Sequence, residues 1–175
     1  MRKDNKNLVS LGVRYLLLLL APIYNLYFFY LILTPLTIYP VFFLLNLFFQ
    51  TSLLGTTIFV KDLGLTLEIV NSCIAGSAYY LLLILNLSVP NIKIKKRVLL
   101  IGYSFSALLL INIIRIVSLA LLFSNTFFGI THQLTWYFFS TFFVVLIWFS
   151  EVKFFKIKEI PIYSDVKFLL RKIKK

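Results

Sequence analysis

The stretch VLLIGYSFSALLLINIIRIVSLALLF, Val98–Phe123, decides the fold of this chain. It exceeds the roughly 20 apolar residues that a helix needs to cross a bilayer, and its one charge is Arg115. Hydrophobic residues make up 61% of the whole chain, whereas soluble domains average about 45–50%. A domain of this size cannot bury so much apolar surface, so we exclude a soluble globular protein, a disordered chain and a disulfide-rich secreted domain. The sequence predicts an integral membrane protein.

Four further apolar runs lie on either side of this stretch, separated by short polar segments. The pattern predicts an all-α, multi-pass transmembrane helical bundle of about five to six spans. The bundle is expected to occupy residues 1–150, and residues 151–175 are expected to form a basic cytoplasmic tail. The predicted spans are Leu8–Leu33, Leu36–Val60, Ile74–Val89, Val98–Phe123 and Leu134–Phe149.

The charge distribution predicts the orientation of the bundle. The net charge is +12, and basic residues concentrate in the loop Asn91–Arg97 and in the tail. Both segments are therefore expected in the cytoplasm, and no nucleic-acid partner is expected because no soluble module is present. Five spans would then place the N-terminus outside, although Arg2 and Lys3 favour the inside. Either the first 60 residues contain an odd number of crossings, or the charge rule fails there.

Three polar residues from different spans are expected at one depth. At 1.5 Å per helical residue, each lies about 27–32 Å from a basic residue that marks the cytoplasmic edge. That distance is about one bilayer thickness, so all three are expected near the outer edge of the hydrocarbon. The three pairs are Cys73 with Lys93, Arg115 with Arg97, and His132 with Lys153.

Each of these residues also has a structural interpretation when it is considered alone. Arg115 could extend toward the outer headgroups, although Asn112 and Ser118 lie on the same helical face and suggest an inward, hydrogen-bonded stripe. Cys73 could be a small buried hydrophobe, and His132 could be an interfacial residue. The chain has no other cysteine or histidine. Their shared depth with the intramembrane arginine favours a site, and one cysteine and one histidine are too few for a structural zinc site.

This set of side chains suits covalent acyl transfer. A cysteine reacts as its thiolate, which cationic neighbours favour. The guanidinium of Arg115 could stabilise the oxyanion of a tetrahedral intermediate, and His132 could protonate the leaving amine. Asn112 is positioned to orient Arg115. Neither a cofactor nor a metal ion is expected, and a Cys/His/Asp triad is not predicted because no aspartate is placed to orient the histidine.

These residues resemble the exosortase/archaeosortase family. The resemblance covers about Leu65–Phe149, in the order and spacing of the family, and the chain looks like a compact archaeal member. It departs from the pattern at Ala75, where the family usually has glycine. The motifs that carry the resemblance are SCIAGS (72–77), NIIRI (112–116) and His132.

The resemblance implies a membrane-embedded cysteine peptidase or transpeptidase of the cell membrane, with its site near the extracytoplasmic face. It implies that Cys73 is the nucleophile, Arg115 the oxyanion or substrate stabiliser, and His132 the general acid and base. The implied substrates are secreted proteins that end in a short motif, a transmembrane helix and a basic tail. The new C-terminus would pass to a lipid or another amine acceptor. Two alternatives stay open: a small anion transporter or channel subunit in which Arg115 binds the anion, and a structural membrane protein without an active site.

Overall fold

The computed structural model describes residues 2–22, 26–90, 92–122 and 140–173. This part of the chain is mostly helical and also contains a small antiparallel sheet. The helices are α1 (Arg2–Leu20), α2 (Tyr27–Asn46), α3 (Asn71–Ile74), α4 (Gly76–Leu87), α5 (Ile94–Leu121), α6 (Ser140–Phe154) and α7 (Tyr163–Ile173). The strands are β1 (Thr51–Leu54), β2 (Thr57–Val60) and β3 (Leu65–Glu68), in that order across the sheet.

Two of the helices, α2 and α5, are long and apolar enough to cross a membrane, which indicates membrane association. Helix α5 packs against α2, α4 and α6, and α4 also contacts α1. Fully buried side chains such as Tyr79 and Leu82 line the centre of this bundle. Large apolar side chains such as Phe28 and Leu110 are exposed on its outside, which suits helices surrounded by lipid.

The predicted span Leu36–Val60 is wrong as a continuous helix. Helix α2 ends at Asn46, and the following residues form the hairpin of β1 and β2, with Leu54 opposite Thr57. Gly55 lies in the turn with φ +60°, a conformation that glycine adopts without a steric penalty. The segment is apolar enough for either a membrane-spanning helix or a pair of partly buried strands. Hydropathy alone therefore could not distinguish the two. The fold is therefore not purely α-helical.

The predicted first span, Leu8–Leu33, is interrupted. Helix α1 ends at Leu20, just before Pro22, because proline disfavours the helical conformation of the residue that precedes it. Helix α2 then begins at Tyr27 and continues through Pro35 and Pro40, so it also crosses the predicted boundary between the first two spans. Apolar helices in membranes tolerate such internal prolines.

One end of the bundle is held together by two buried arginines. Arg14 of α1 donates to the carbonyl of Leu87, at 2.9 Å, and forms an ion pair of 2.8 Å with Asp165 of α7. Arg97 of α5 donates to the same Leu87 carbonyl, at 2.9 Å, and to the carbonyl of Val89, at 2.7 Å. Carbonyl groups at the end of a helix and just beyond it have no partner within the helix. At the end of α4, the two arginines donate hydrogen bonds to these carbonyl groups. We call this region, Arg14, Leu87, Arg97 and Asp165, the basic end.

The opposite end carries the sheet and α3, and we call it the sheet end. Along α5, Arg97 at the basic end and Arg115 lie about 27 Å apart. The chain passes from the basic end to the sheet end through α1 and α2 together, because Tyr80 of α4 contacts Leu18 and Gly76 contacts the ring of Tyr30. Helix α1 therefore begins toward the basic end, and α2 leads to the sheet end.

Within the described residues, only α2 and α5 have the length and hydropathy of a membrane span. The prediction of five to six separate spans is not confirmed. Helix α6 also continues through Glu151 to Phe154, past the expected start of the tail. Glu151 is fully buried, and its carboxylate accepts hydrogen bonds of 3.2 and 3.3 Å from the Asn86 side chain. The last turn of α6 therefore belongs to the bundle.

The buried ion pair at the basic end gives a stability prediction. Asp165→Asn leaves the buried guanidinium of Arg14 without a counter-charge, so we expect the free energy of unfolding to fall by about 3–5 kcal/mol. Tryptic cleavage within α7 should also accelerate, because Asp165 fastens this helix to α1. Unfolding midpoints in detergent and limited proteolysis measure both effects. The matched control is Glu68→Gln, an exposed carboxylate on β3 whose loss should change stability by less than about 0.5 kcal/mol.

Candidate functional site

A break in the helix follows Cys73. Helix α3 ends at Ile74, and Ala75 adopts the left-handed conformation, with φ 60° and ψ 40°, before α4 begins at Gly76. The amides of Ala78 and Tyr79 both donate to the Ala75 carbonyl, at 2.9 and 3.3 Å. The carbonyls of Cys73 and Ile74 are therefore turned away from the next helical turn and accept hydrogen bonds from side chains instead.

Two side chains of α5 bind these carbonyl groups. Asn112 Nδ2 donates to the Cys73 carbonyl at 2.8 Å and to the Ile74 carbonyl at 3.5 Å. Arg115 Nη2 donates to the Cys73 carbonyl at 3.1 Å. The spacing of three residues places both side chains on one face of α5, next to α3. The structure thus brings together Cys73, Arg115 and Asn112, which the sequence analysis placed at one depth or on one face.

The predicted polar stripe on α5 is only partly correct. Asn112 is buried and Arg115 is half-buried, but Ser118 is exposed. The stripe therefore ends at Arg115. The interpretation of Arg115 as a side chain that only extends to the headgroups does not fit its hydrogen bond to Cys73.

The remaining predicted site residue, His132, lies outside the described residues. Its position relative to Cys73 and Arg115 stays a prediction. Cys73 itself is a free cysteine of intermediate exposure, and its amide donates to the Val70 carbonyl at 2.8 Å. The backbone of Cys73 is thus fixed on both sides, by the Val70 carbonyl and by the two side chains of α5.

A small cavity lies beside this contact, between α4, α5 and α6. Its volume is about 10 Å³, which is close to the space that one water molecule occupies. Most of its wall is apolar, and Asn112 and Arg115 supply the polar groups. The lining residues are Ala75, Ala78, Leu108, Ile111, Asn112, Arg115 and Phe143.

Tyr79 is a site neighbour that the sequence analysis did not assign. It is fully buried on α4 and packs edge-on against Phe105, with ring centroids 5.2 Å apart. Its hydroxyl has no hydrogen-bond partner among the described residues, and the residue lies near Arg115. Its spacing from Cys73 could not identify it, because the break at Ala75 changes which residues of α4 face α5.

The strained backbone at Ala75 gives a second stability prediction. The left-handed conformation costs alanine about 1–2 kcal/mol, whereas glycine loses about 0.5–1 kcal/mol more conformational entropy on folding. Ala75→Gly should therefore raise the free energy of unfolding by about 0.5–1 kcal/mol. The matched control is Ala78→Gly, in regular helix, which should lower it by about 1 kcal/mol. Thermal unfolding in detergent measures both, and a shift of the same sign in the two variants would contradict the assigned conformation.

Comparison with protein-family models, with curated proteins and with solved structures finds no match for this chain.

Proposed function

We propose that the protein is a membrane-embedded cysteine peptidase or transpeptidase of the archaeosortase type. It cleaves the C-terminal sorting signal of secreted proteins and transfers the new C-terminus to a lipid or another amine acceptor. One observation carries the proposal: the guanidinium of Arg115, far inside an apolar helix, is bound to the main chain of the cysteine itself. An ionisable residue within a span is costly, so its placement favours a function.

The helix break supports the same proposal. Position 75, two residues after the cysteine, adopts a conformation that favours glycine, which is the residue usual there in the resembled family. Without the break, the Cys73 carbonyl would bond within its own helix, and Asn112 and Arg115 would lose their acceptor. The two sequence motifs are thus linked by one interaction. The helix break within SCIAGS leaves the Cys73 carbonyl without a helical partner, and Asn112 and Arg115 of NIIRI donate hydrogen bonds to it.

The proposed reaction has two steps. The Cys73 thiolate attacks the carbonyl carbon of the scissile peptide bond, and Arg115 donates hydrogen bonds to the resulting oxyanion. The C–N bond then breaks, a thioester remains on Cys73, and His132 gives a proton to the leaving amine. In the second step the acceptor amine attacks the thioester and loses a proton to His132, and Cys73 leaves as thiolate. Attack by water in place of the amine gives hydrolysis.

The proposed orientation follows from the charges of the two ends. The basic end contains Arg14 and Arg97, and the basic loop 91–97 adjoins it, so we assign this end to the cytoplasm. The sheet end, with Cys73, then lies on the extracytoplasmic side of the cell membrane. A substrate anchored by a single helix with a basic tail would present the segment before its helix at this depth.

The anion transporter or channel subunit remains the competing proposal, because a guanidinium beside a cavity also suits an anion. The test uses a reporter with a secreted domain, a short extended segment, an apolar helix of about 20 residues and a basic tail. The extended segments are taken from secreted proteins of the source cell. We expect the full-length protein in membranes to shorten this reporter and to leave chloride flux in vesicles unchanged. Chloride flux that depends on Arg115, without reporter cleavage, would favour the competing proposal.

A further inference from the structure

Among the described residues, β3 is an outer strand of the sheet. The amide of Ile69 donates to the Thr56 carbonyl, at 3.0 Å, so this residue pair occupies a hydrogen-bonded position of the ladder. Along an antiparallel strand, residues whose main-chain groups face the neighbouring strand alternate with residues whose main-chain groups face away from it. The main-chain groups of Leu65 and Leu67 therefore also face β2. The main-chain groups of Thr66 and Glu68 then point to the free edge. Both residues are exposed, and no described residue bonds to these edge groups.

This edge leads directly to Cys73. Glu68 ends β3 and is followed by Ile69, which is buried, and by Val70, whose carbonyl accepts the Cys73 amide. The side chain of Leu65 is also buried, so β3 packs against the core. The other outer strand, β1, adjoins the end of α2 and leads away from the cysteine. Of the two edges of the sheet, the β3 edge therefore adjoins the proposed site.

We propose that the β3 edge binds the extended segment that precedes the substrate's apolar helix, as a fourth strand of the sheet. This inference rests on the proposed function and names where its substrate is recognised. Unpaired amides and carbonyls at a strand edge complement an extended peptide, and such pairing gives affinity with little dependence on side chains. A segment paired there ends near Cys73, because only four residues separate this cysteine from the last residue of β3.

The charge on β3 favours a peptide over a second copy of this chain. Glu68 is exposed on this strand, and pairing two copies of β3 would bring two such carboxylates into one short strand pair. Like charges that face each other across strands are destabilising. The expected occupant is therefore an extended segment with few acidic residues.

Proline substitutions test this inference in the full-length protein with the reporter. Thr66→Pro and Glu68→Pro each remove one amide that faces the free edge, and both leave the bonds to β2 intact. We expect each to slow reporter cleavage at least about tenfold, a loss of the size expected for one or two main-chain hydrogen bonds. The matched control is Leu53→Pro, which removes an outward amide from β1 and should leave cleavage unchanged. Unfolding midpoints near the wild-type value confirm that the variants fold.

A photo-crosslinking residue at position 66 separates this inference from the proposed function. In the Cys73→Ala background, we expect crosslinks to the reporter segment just before its apolar helix. Cleavage at the wild-type rate by both proline variants, or crosslinks only between two copies of this chain, would overturn the edge as the substrate site. A wild-type protein that cleaves no reporter would instead refute the proposed function. In that case the crosslink is the only test of whether the β3 edge binds the reporter segment, and its absence would overturn the inference.

Discussion

Replacing Cys73 with alanine should abolish reporter cleavage, with a rate at least about 1,000-fold below wild type. Loss of the nucleophile removes the covalent step, and residual rates in such variants come from binding and oxyanion stabilisation alone. The Asn112 and Arg115 contacts go to the main chain of this residue, so they remain in the variant. The protein should therefore fold and enter membranes normally. Gel analysis of the reporter and the unfolding midpoint measure the two expectations.

Two comparisons make the Cys73 result specific. Cys73→Ser keeps the size of the side chain and replaces the thiol with a far weaker nucleophile, so its cleavage should also be lost. The wild-type protein should form a covalent adduct with the reporter that hydroxylamine releases, as expected for a thioester. Cleavage by Cys73→Ala at the wild-type rate would eliminate the cysteine mechanism, whatever the role of Arg115.

Arg115→Lys should lower the cleavage rate by about 100- to 1,000-fold, the loss that follows removal of one oxyanion-hole donor. Lysine retains the charge but offers a single compact ammonium group. It cannot keep the bond to the Cys73 carbonyl and also present a second donor in a fixed geometry, as a planar guanidinium can. The rate at saturating reporter should fall more than the affinity, since the oxyanion forms only in the transition state.

The matched variant for Arg115→Lys is Asn112→Ala. Asn112 makes the shortest contact with the Cys73 carbonyl but has no expected role at the oxyanion. Its loss should lower stability and reduce the cleavage rate less than Arg115→Lys does. Equal effects of the two substitutions on the rate would mean that Arg115 acts only by holding the Cys73 main chain in place.

Hydropathy and spacing predicted the helices around the site better than they predicted the whole chain. The depth of Arg115 relative to Cys73 followed from a constant rise per residue, and the contact between them agrees with it. The hairpin of β1 and β2 was missed because its apolar residues continue the apolar run of α2. Gly55, followed by the β-branched residues Thr56, Thr57 and Ile58, was the available signal.

Burial of charged residues was the other feature that the sequence concealed. Asp165 and Glu151 lie among the basic residues of the segment 151–175, which charge counting assigned as a whole to a basic cytoplasmic tail. Both are instead buried, each against a partner distant in the sequence, Arg14 or Asn86. Only tertiary packing brings such partners together, so no local pattern could reveal them. The position of His132 relative to Cys73 stays a prediction from depth alone.

The ion pair between Arg14 and Asp165 has a consequence for how the protein is made. Synthesis proceeds from the N-terminus, so the ribosome adds 151 residues after Arg14 before the carboxylate that matches this guanidinium exists. Until then, the nascent chain must keep the guanidinium in contact with water or lipid headgroups, and α1 cannot settle into its final place. Helix α1 is therefore made well before α7 and is fixed in position only after α7 has been made.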